Sequence, residues 1–161
     1  MKHLKPVFLL FLLPFFMIGW ETKEIRLTSG IQPGNLAPEM DWPELNPDNE
    51  KYVLLQFWAA YNAESRMANT QMYRTISEND EIQLLSFSMD ENPAVFEGVL
   101  RADGLSRETQ FNDFLGKNSP LFKQFRLQAG FGNWLINPDG VIVARNLSPE
   151  EVLDYLKGGE M

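Results

Sequence analysis

Apolar and polar residues fall into blocks along the chain, and the first strong block predicts a strand that leads into a helix. Residues 52–58, Tyr-Val-Leu-Leu-Gln-Phe-Trp, are apolar, β-branched and aromatic, as in a strand buried on both faces. Asn62 follows closely and is a suitable N-cap. Residues 63–77 contain no Gly or Pro, which predicts a helix. Its apolar stripe is expected at Ala68, Met72 and Ile76.

The next block repeats the order of strand and helix. Residues 81–89 form a second apolar run, and Asn92 with Pro93 then starts a helix that ends near Asp103. Residues 105–116 are expected to form a loop. Short helices between apolar strands favour parallel pairing through right-handed crossovers.

The final third of the chain predicts a short helix, an antiparallel hairpin and a closing helix. Ser119 and the proline after it start the short helix. Asn-Pro-Asp-Gly at residues 137–140 is a turn sequence between the apolar runs 131–136 and 141–145. Ser148 caps the closing helix. The predicted fold class is therefore α/β, with the order β-α-β-α-β-β-α.

The chain before these blocks predicts a targeting segment and a polar lead-in. Residues 1–19 have a basic start and an apolar run interrupted by Pro14, which is shorter than the roughly 20 residues that span a bilayer. We expect a signal peptide or an uncleaved N-terminal anchor, and hence export to the periplasm or cell envelope. Residues 20–50 form the lead-in, with a short strand at 24–27, and residues 51–161 form the folded domain.

The net charge of the chain limits which classes of partner it is expected to bind. The chain carries a net charge of −8, which becomes −10 without residues 1–19, because Lys2 and Lys5 are lost and no acid is. Such a domain is not expected to bind nucleic acid, whose affinity comes from cations that neutralise phosphates. It is also repelled by anionic lipid head groups, so membrane contact is expected only through residues 1–19 where these are retained.

Two residue types that carry most catalytic and metal chemistry are missing from the domain. The chain has no cysteine, and its one histidine is His3. Disulfide exchange, cysteine nucleophiles, Ser-His-Asp triads and zinc sites built on thiolate or imidazole are therefore excluded. The spacing of the acids in residues 39–48 matches no calcium loop. We expect no metal and no cofactor.

The strand–helix junction nevertheless resembles an active-site segment. Residues 57–66, Phe-Trp-Ala-Ala-Tyr-Asn-Ala-Glu-Ser-Arg, are similar to the Phe-Trp-x-x-Trp-Cys-x-x-Cys-Lys/Arg segment of thioredoxin-like proteins of the TlpA/ResA type. Segments 34–40 and 134–147 resemble further parts of that family, which is related to peroxiredoxins, and the resemblance covers about residues 33–157. It implies a thioredoxin-like fold, with a central mixed sheet flanked by helices and an N-terminal extension.

Both halves of that family's active site differ in this chain. Asn62 and Ser65 stand where the family has its two cysteines, and Phe131 stands where it has a cis-proline. A non-proline cis bond costs about 2.5–4 kcal/mol, so we expect a trans peptide at Phe131. Gly130 and Gly132 on either side permit an altered loop.

These residues define a candidate binding groove. Its members are Trp58, Tyr61, Asn62, Ser65, Gly130 and Phe131. The groove could be open, with helix amides that attract an anion or a peptide carboxylate. Alternatively Asn62 and Ser65 only cap the helix and the aromatic residues fill the groove, while Met67 and Met72 are expected to pack in the core.

The function predicted from the sequence is that of a redox-inactive, exported thioredoxin-fold protein which binds an unidentified protein or peptide. Two alternatives remain. The chain could be classed with thiol-disulfide oxidoreductases through its fold, although it has no thiol. It could also be an enzyme of another class that reuses the helix start near Asn62 without thiol chemistry.

Overall fold

The computed structural model describes residues 27–39 and 51–158. The predictions for residues 1–19, for residues 24–26 of the short strand and for the acids at 41–48 lie outside this part. The strands are Tyr52–Trp58 (β1), Ile82–Ser88 (β2), Gln110–Phe111 (β3), Asn133–Ile136 (β4) and Ile142–Arg145 (β5). The α-helices are Ala63–Ile76 (α1), Pro93–Asp103 (α2), Pro120–Gln124 (α3) and Pro149–Leu156 (α4). Of the helices in these two ranges, none is long and apolar enough to cross a membrane.

The strands form one mixed sheet in the order β3-β2-β1-β4-β5. Strand β1 pairs parallel with β2 and antiparallel with β4, while β4 and β5 form the predicted hairpin. Strand β3 lies within the predicted loop 105–116 and pairs parallel with β2. The predicted α/β fold and mixed sheet are confirmed. Strand β3 was missed because two residues are too short to show a pattern of alternation.

Residues 34–36, which precede β1 in the chain, cover one edge of the sheet. The Gly34 N–H donates to the Ile142 carbonyl at 2.8 Å, and the Ile142 N–H donates to the Asn35 carbonyl at 2.9 Å. Leu36 forms an antiparallel bridge with Val141. Unpaired strand edges invite association with other strands, so this segment protects β5.

Apolar side chains pack on both faces of β1. Leu55 and Phe57 belong to a cluster in which the Phe57 ring lies 4.9 Å from the ring of Phe125, which follows α3. Leu54 belongs to a second cluster, which includes residues of α1 and α4. Trp58 joins a third cluster with α2. The central strand is therefore buried on both faces, as its composition predicts.

A row of buried polar side chains crosses the sheet in register. Gln110, Ser86, Gln56 and Asn133 are neighbours on β3, β2, β1 and β4, and each is at most 6% exposed. Asn69 of α1 accepts a hydrogen bond from the Ser86 hydroxyl and donates to Gln110 Oε1 at 3.0 Å. Buried polar groups need such partners, so Asn69 fixes where α1 lies on the sheet.

The two other members of the row, Asn133 and Gln56, differ in their hydrogen bonding. The Asn133 amide donates to the Leu147 carbonyl at 2.8 Å and accepts from the Leu147 N–H at 2.9 Å, which ties β4 to the start of α4. Gln56 Oε1 is buried and has no hydrogen-bond partner within the described residues. A buried polar atom without a hydrogen-bond partner destabilises a protein, so Gln56 offsets part of the stability that the hydrogen bonds of the other three residues provide.

The buried stripe of α1 differs from the predicted one. Met72 and Ile76 are buried as expected, but Ala68 is exposed and Met67 is 59% exposed. The other buried residues of the helix are Ser65 and Asn69. Because these two side chains hydrogen-bond to buried groups, the helix turns a partly polar stripe towards the sheet. The expectation that Met67 packs in the core is therefore wrong.

The helix ends follow the predicted capping residues. The side chains of Asn62, Asn92 and Ser119 each accept a backbone N–H of their own helix, and Ser148 forms a capping box with Glu151. A salt bridge joins α1 to α2, since the Arg66 guanidinium contacts the Asp103 carboxylate at 2.7 Å. This hydrogen bond with Arg66 lowers the pKa of Asp103.

We predict that Asn69→Ala destabilises the protein by about 2–4 kcal/mol, because Ser86 and Gln110 each lose a buried partner. Urea unfolding followed by circular dichroism measures the change. The matched control is Asn118→Ala at an exposed position, which we expect to change the free energy of unfolding by less than about 0.5 kcal/mol. Equal effects for the two variants would contradict the role of the polar row.

Candidate functional site

The end of β1 meets two other segments at one edge of the sheet. The Phe57 N–H donates to the Gly132 carbonyl at 3.0 Å, and the Met89 N–H donates to the Trp58 carbonyl at 2.8 Å. These bonds place residues 130–132 on one side of the junction between β1 and α1 and residues 89–92 on the other. The structure therefore brings residues 130–132 beside the junction, as the predicted groove requires, and adds residues 89–92, which the sequence did not assign to the groove.

Asn62 and Ser65 form a closed set of hydrogen bonds at the start of α1. Asn62 Oδ1 accepts from the Ser65 N–H at 2.8 Å, and the Ser65 hydroxyl donates to the Asn62 carbonyl at 3.1 Å. The same hydroxyl accepts from the Ala59 N–H at 3.2 Å. Because a serine hydroxyl has one proton to donate, Ser65 has no donor left for a ligand. Ser65 is also only 6% exposed, so the pair stabilises the helix start.

Asp90 holds the loop between β1 and α1. Its two carboxylate oxygens lie 3.1 and 2.9 Å from the Ala60 nitrogen, whose N–H they accept, and the Ser88 hydroxyl donates to Asp90 at 2.6 Å. The Asn112 amide donates to the Asp90 carbonyl at 2.8 Å. Sequence reasoning treated Asp90 only as the end of an apolar run. The sequence did contain a signal for the role of Asp90, namely an acidic residue at the end of the apolar run that was expected to pair with β1.

Tyr61 is the most exposed aromatic residue of the site, with 62% of its surface accessible. Its ring centroid lies 6.2 Å from that of Phe131, at an angle of 59°. Partial burial, together with the charges of Asp90 and Glu91, raises the pKa of Tyr61 above 10.0. The phenol therefore stays protonated at neutral pH and offers both a ring face and a hydroxyl.

Phe131 and Gly130 form the opposite side of the site. All peptide bonds of the described residues are trans, as expected for Phe131, and Gly130 has a φ of 136°. Gly130 is exposed and Phe131 is partly buried. A side chain added at Gly132 would meet the side-chain amide of Asn146, which is exposed and would have to move. The Phe131 ring contacts Tyr61 across the site and leaves it partly filled.

Trp58 does not belong to this surface. Its side chain is 0% exposed and packs against Phe96 of α2, with 6.2 Å between the ring centroids. The expectation that Trp58 lines the groove is wrong, because alternate residues of a strand point to opposite faces and this one points into the α2 cluster. The accessible part of the candidate site is therefore Tyr61 and Gly130, which are exposed, with Asn62 and Phe131, which are partly buried.

Two cavities flank the contact between Tyr61 and Phe131. One has a volume of about 410 Å³ and includes Tyr61, Asp90, Glu91, Val95 and Lys117 in its lining. The other, of about 300 Å³, is bordered by Phe131. No cluster of three Asp, Glu, His or Cys residues that could hold a metal ion occurs within residues 27–39 and 51–158.

The lining of the first cavity bears on the enzyme alternative. Asp90 and Glu91 are two carboxylates near the helix start, but Asp90 accepts the Ala60 N–H and the Ser88 hydroxyl. A carboxylate that is committed to the backbone and to a serine is a structural group rather than a free acid or base. The hydrogen bonds therefore give Asp90 a structural role, while Glu91 is the exposed carboxylate of this cavity.

Comparisons with known proteins agree with the observed topology. The chain is 42% identical to a thioredoxin-like protein from Parabacteroides distasonis, over 82% of this chain and 99% of that one, with a TM-score of 0.78. It is 28% identical to a thiol-disulfide oxidoreductase from Bacteroides fragilis, over 68% and 81% of the two chains, with a TM-score of 0.57.

A further structure shows the fold alone. StoA from Bacillus subtilis is 18% identical over 68% of this chain and 85% of that one, with a TM-score of 0.56. No protein-family model matches the chain, and no curated protein does either.

We predict that Asp90→Asn lowers the pKa of Tyr61, because a negative charge that disfavours the phenolate is removed. Burial, the larger cause, remains, so part of the upward shift should persist. Spectrophotometric titration of the tyrosinate band, with Tyr61→Phe as the blank, measures the change. The control is Glu97→Gln on α2, which should leave the titration unaltered, and an unchanged Tyr61 pKa in Asp90→Asn would refute the assignment.

Proposed function

The chain belongs to the thioredoxin-like proteins, and we propose that it is a redox-inactive member which acts by binding a protein or peptide partner. The observation that carries this proposal is an accessible pair of aromatic rings, Tyr61 and Phe131, at the strand–helix junction of a chain without any thiol. We also propose, from the composition of residues 1–19, that the protein is exported to the periplasm or cell envelope and that residues 51–161 form its binding domain.

The surface near the junction has the composition of a protein-binding site. Tyr61, Val95 and Leu115 are exposed to 62%, 43% and 49% although their side chains are large and apolar. Tyr61 and Val95 line the same cavity. Aromatic side chains that combine an apolar ring with a polar group often supply much of the binding energy of interfaces. Recognition is therefore the activity for which this surface is suited.

The two alternative functions have less support. Thiol-disulfide exchange needs a thiolate as nucleophile, and the chain contains no cysteine. A shared fold does not imply a shared reaction. A non-thiol enzyme at the start of α1 would need a free nucleophile or base, whereas the hydroxyl of Ser65 and the carboxylate of Asp90 are hydrogen-bonded within the protein.

We predict that the purified protein does not accelerate the reduction of insulin by dithiothreitol above the rate without protein, because it has no sulfur nucleophile. A matched variant with Asn62→Cys and Ser65→Cys tests whether the scaffold can still support a redox pair. We expect this variant to form a disulfide that dithiothreitol reduces. Acceleration by the unaltered protein would contradict the proposal directly.

We predict that replacing Tyr61 and Phe131 together by Ala weakens binding of the partner at least about tenfold, since aromatic anchors dominate interfaces. Affinity capture from the native cell envelope identifies the partner, and calorimetry with that partner measures the change. The control is Met67→Ala, an exposed apolar residue of α1 outside both cavities described.

The two variants separate binding at the junction from binding elsewhere. Loss in the Tyr61/Phe131 variant with retention in Met67→Ala supports the proposed surface. Full affinity in the Tyr61/Phe131 variant places the interface elsewhere, and a protein that captures no partner under any condition argues against a binding function.

A further inference from the structure

We propose that the cavity bordered by Phe131 binds a carboxylate group of the partner. This inference rests on the proposed function and names the chemistry of the ligand. The cavity, of about 300 Å³, is at the lower end of the range for ligand sites, so it fits one charged group and its neighbouring carbons. We call it the arginine cavity, after Arg126 and Arg145 in its lining.

The charge of the arginine cavity is opposite to that of the protein. The chain has 22 acidic and 14 basic residues, yet the lining contains two arginines and no Asp or Glu. Neither Arg126 nor Arg145 forms an ion pair within the described residues. Two guanidinium groups that line one cavity repel each other, and an anion bound there offsets this repulsion. An acidic protein that keeps this pair unpaired has a local site for an anion.

Arg145 is held in place by neighbours that carry no negative charge. Its guanidinium carbon lies 5.8 Å from the centroid of the Trp134 ring, and its Nη1 donates to Gln32 Oε1 at 3.3 Å. The indole N–H of Trp134 in turn donates to the Ile31 carbonyl at 3.0 Å. Because a guanidinium has five N–H donors, this arrangement orients Arg145 and leaves further donors available.

The backbone beside the arginines adds donors of its own. The N–H groups of Phe131 and Gly132 have no hydrogen-bond partner in the described part of the chain, although the Gly132 carbonyl accepts from Phe57. Both residues line the arginine cavity. Arg126 adopts a φ of 54°, which is uncommon for a residue with a side chain. The oriented guanidinium of Arg145 and the free amides in the same cavity are suited to an oxyanion.

A carboxylate fits better than a polyanion. The planar fork of arginine matches the two oxygens of a carboxylate, and the net charge of −8 repels nucleic acid. The cavity also has apolar walls from Ile31, Phe125 and Trp134, which suit the carbons next to the charged group.

The arginine cavity is continuous with the surface of the proposed function. Phe131 lines it and also contacts Tyr61. A peptide that crosses these two rings can therefore place a carboxylate, either its C-terminus or an Asp or Glu side chain, in the arginine cavity.

The test uses the full chain and small probes of defined charge. The probes are N-acetyl-Gly-Phe with a free C-terminus, its C-terminal amide, N-acetyl-Glu-amide and inorganic phosphate. Nuclear magnetic resonance of the arginine Nε–H groups reports which arginines respond. We expect the free acid to shift the signals of Arg126 and Arg145 saturably and the amide to leave them unchanged. A response to N-acetyl-Glu-amide as well would also support the proposal and identify side-chain carboxylates as ligands.

Variants of equal charge supply the control. Arg126→Gln with Arg145→Gln should weaken the binding of the free acid at least about tenfold, which corresponds to about 1.4 kcal/mol. Arg74→Gln with Arg101→Gln, at two exposed positions on α1 and α2, should not weaken it. Equal weakening in both double variants would mean a general effect of net charge and would overturn the assignment.

Other results would also overturn it. These are the absence of saturable shifts at Arg126 and Arg145 with either carboxylate, equal binding of the amide, and tighter binding of phosphate than of the acids. The proposed function is tested separately with the captured partner. If the Arg126/Arg145 variant binds that partner as well as the unaltered protein while the Tyr61/Phe131 variant does not, the arginine cavity is excluded and the binding function stands.

Discussion

Strand β1 is hydrogen-bonded on both sides, and this pairing fixes the position of everything in the site. Parallel pairing with β2 brings Met89 and Asp90 to one side of its end, and antiparallel pairing with β4 brings Gly132 to the other. A slip of β1 by one residue would turn each side chain to the opposite face, so the separate packing of Leu54 on one face and of Leu55 and Phe57 on the other makes the register costly to change. The pairing of β1 therefore fixes the position of the junction between β1 and α1 independently of the side chains at the junction.

At that junction, side chains of the chain itself bind the backbone N–H groups of a position that electrostatically favours anions. The first N–H groups of a helix lack partners in the helix and carry a partial positive charge. The Asn62 side chain accepts one of these N–H groups, and the Ser65 hydroxyl donates to the Asn62 carbonyl. Asp90 accepts the Ala60 N–H, which lies before the helix begins. The three side chains hold the geometry without leaving a reactive group at the surface. What remains accessible is aromatic, which is consistent with recognition.

The parts of the fold that could be predicted from the sequence depend on local interactions. The limits of β1, the caps at Asn62 and Ser148 and the hairpin turn at 137–140 follow from residue types within a few positions of each other, and all are observed. The partly polar stripe of α1 could not be predicted in this way, because Asn69 is buried through partners on β2 and β3. The burial of Trp58 likewise depends on the position of α2. The resemblance to a family predicted which segments meet, but not which of their side chains reach the surface.

The charged residues of the candidate site could not be grouped from local sequence either. Arg126 and Arg145 come from different segments of the chain, and Asp90 and Glu91, although adjacent to each other, are distant in sequence from Tyr61. Neither cavity could therefore be recognised before the sheet order was known. The fold places these pairs in separate cavities, while Tyr61 lines the first, Phe131 lines the second, and the two rings contact each other between them. The first cavity contains Asp90, Glu91 and Lys117 and the second contains Arg126 and Arg145, so the charge differs between the two sides of the aromatic pair. On the proposed function, a peptide that spans both cavities would meet these charges in a fixed order, and one direction of binding would be favoured, which apolar contacts alone do not distinguish.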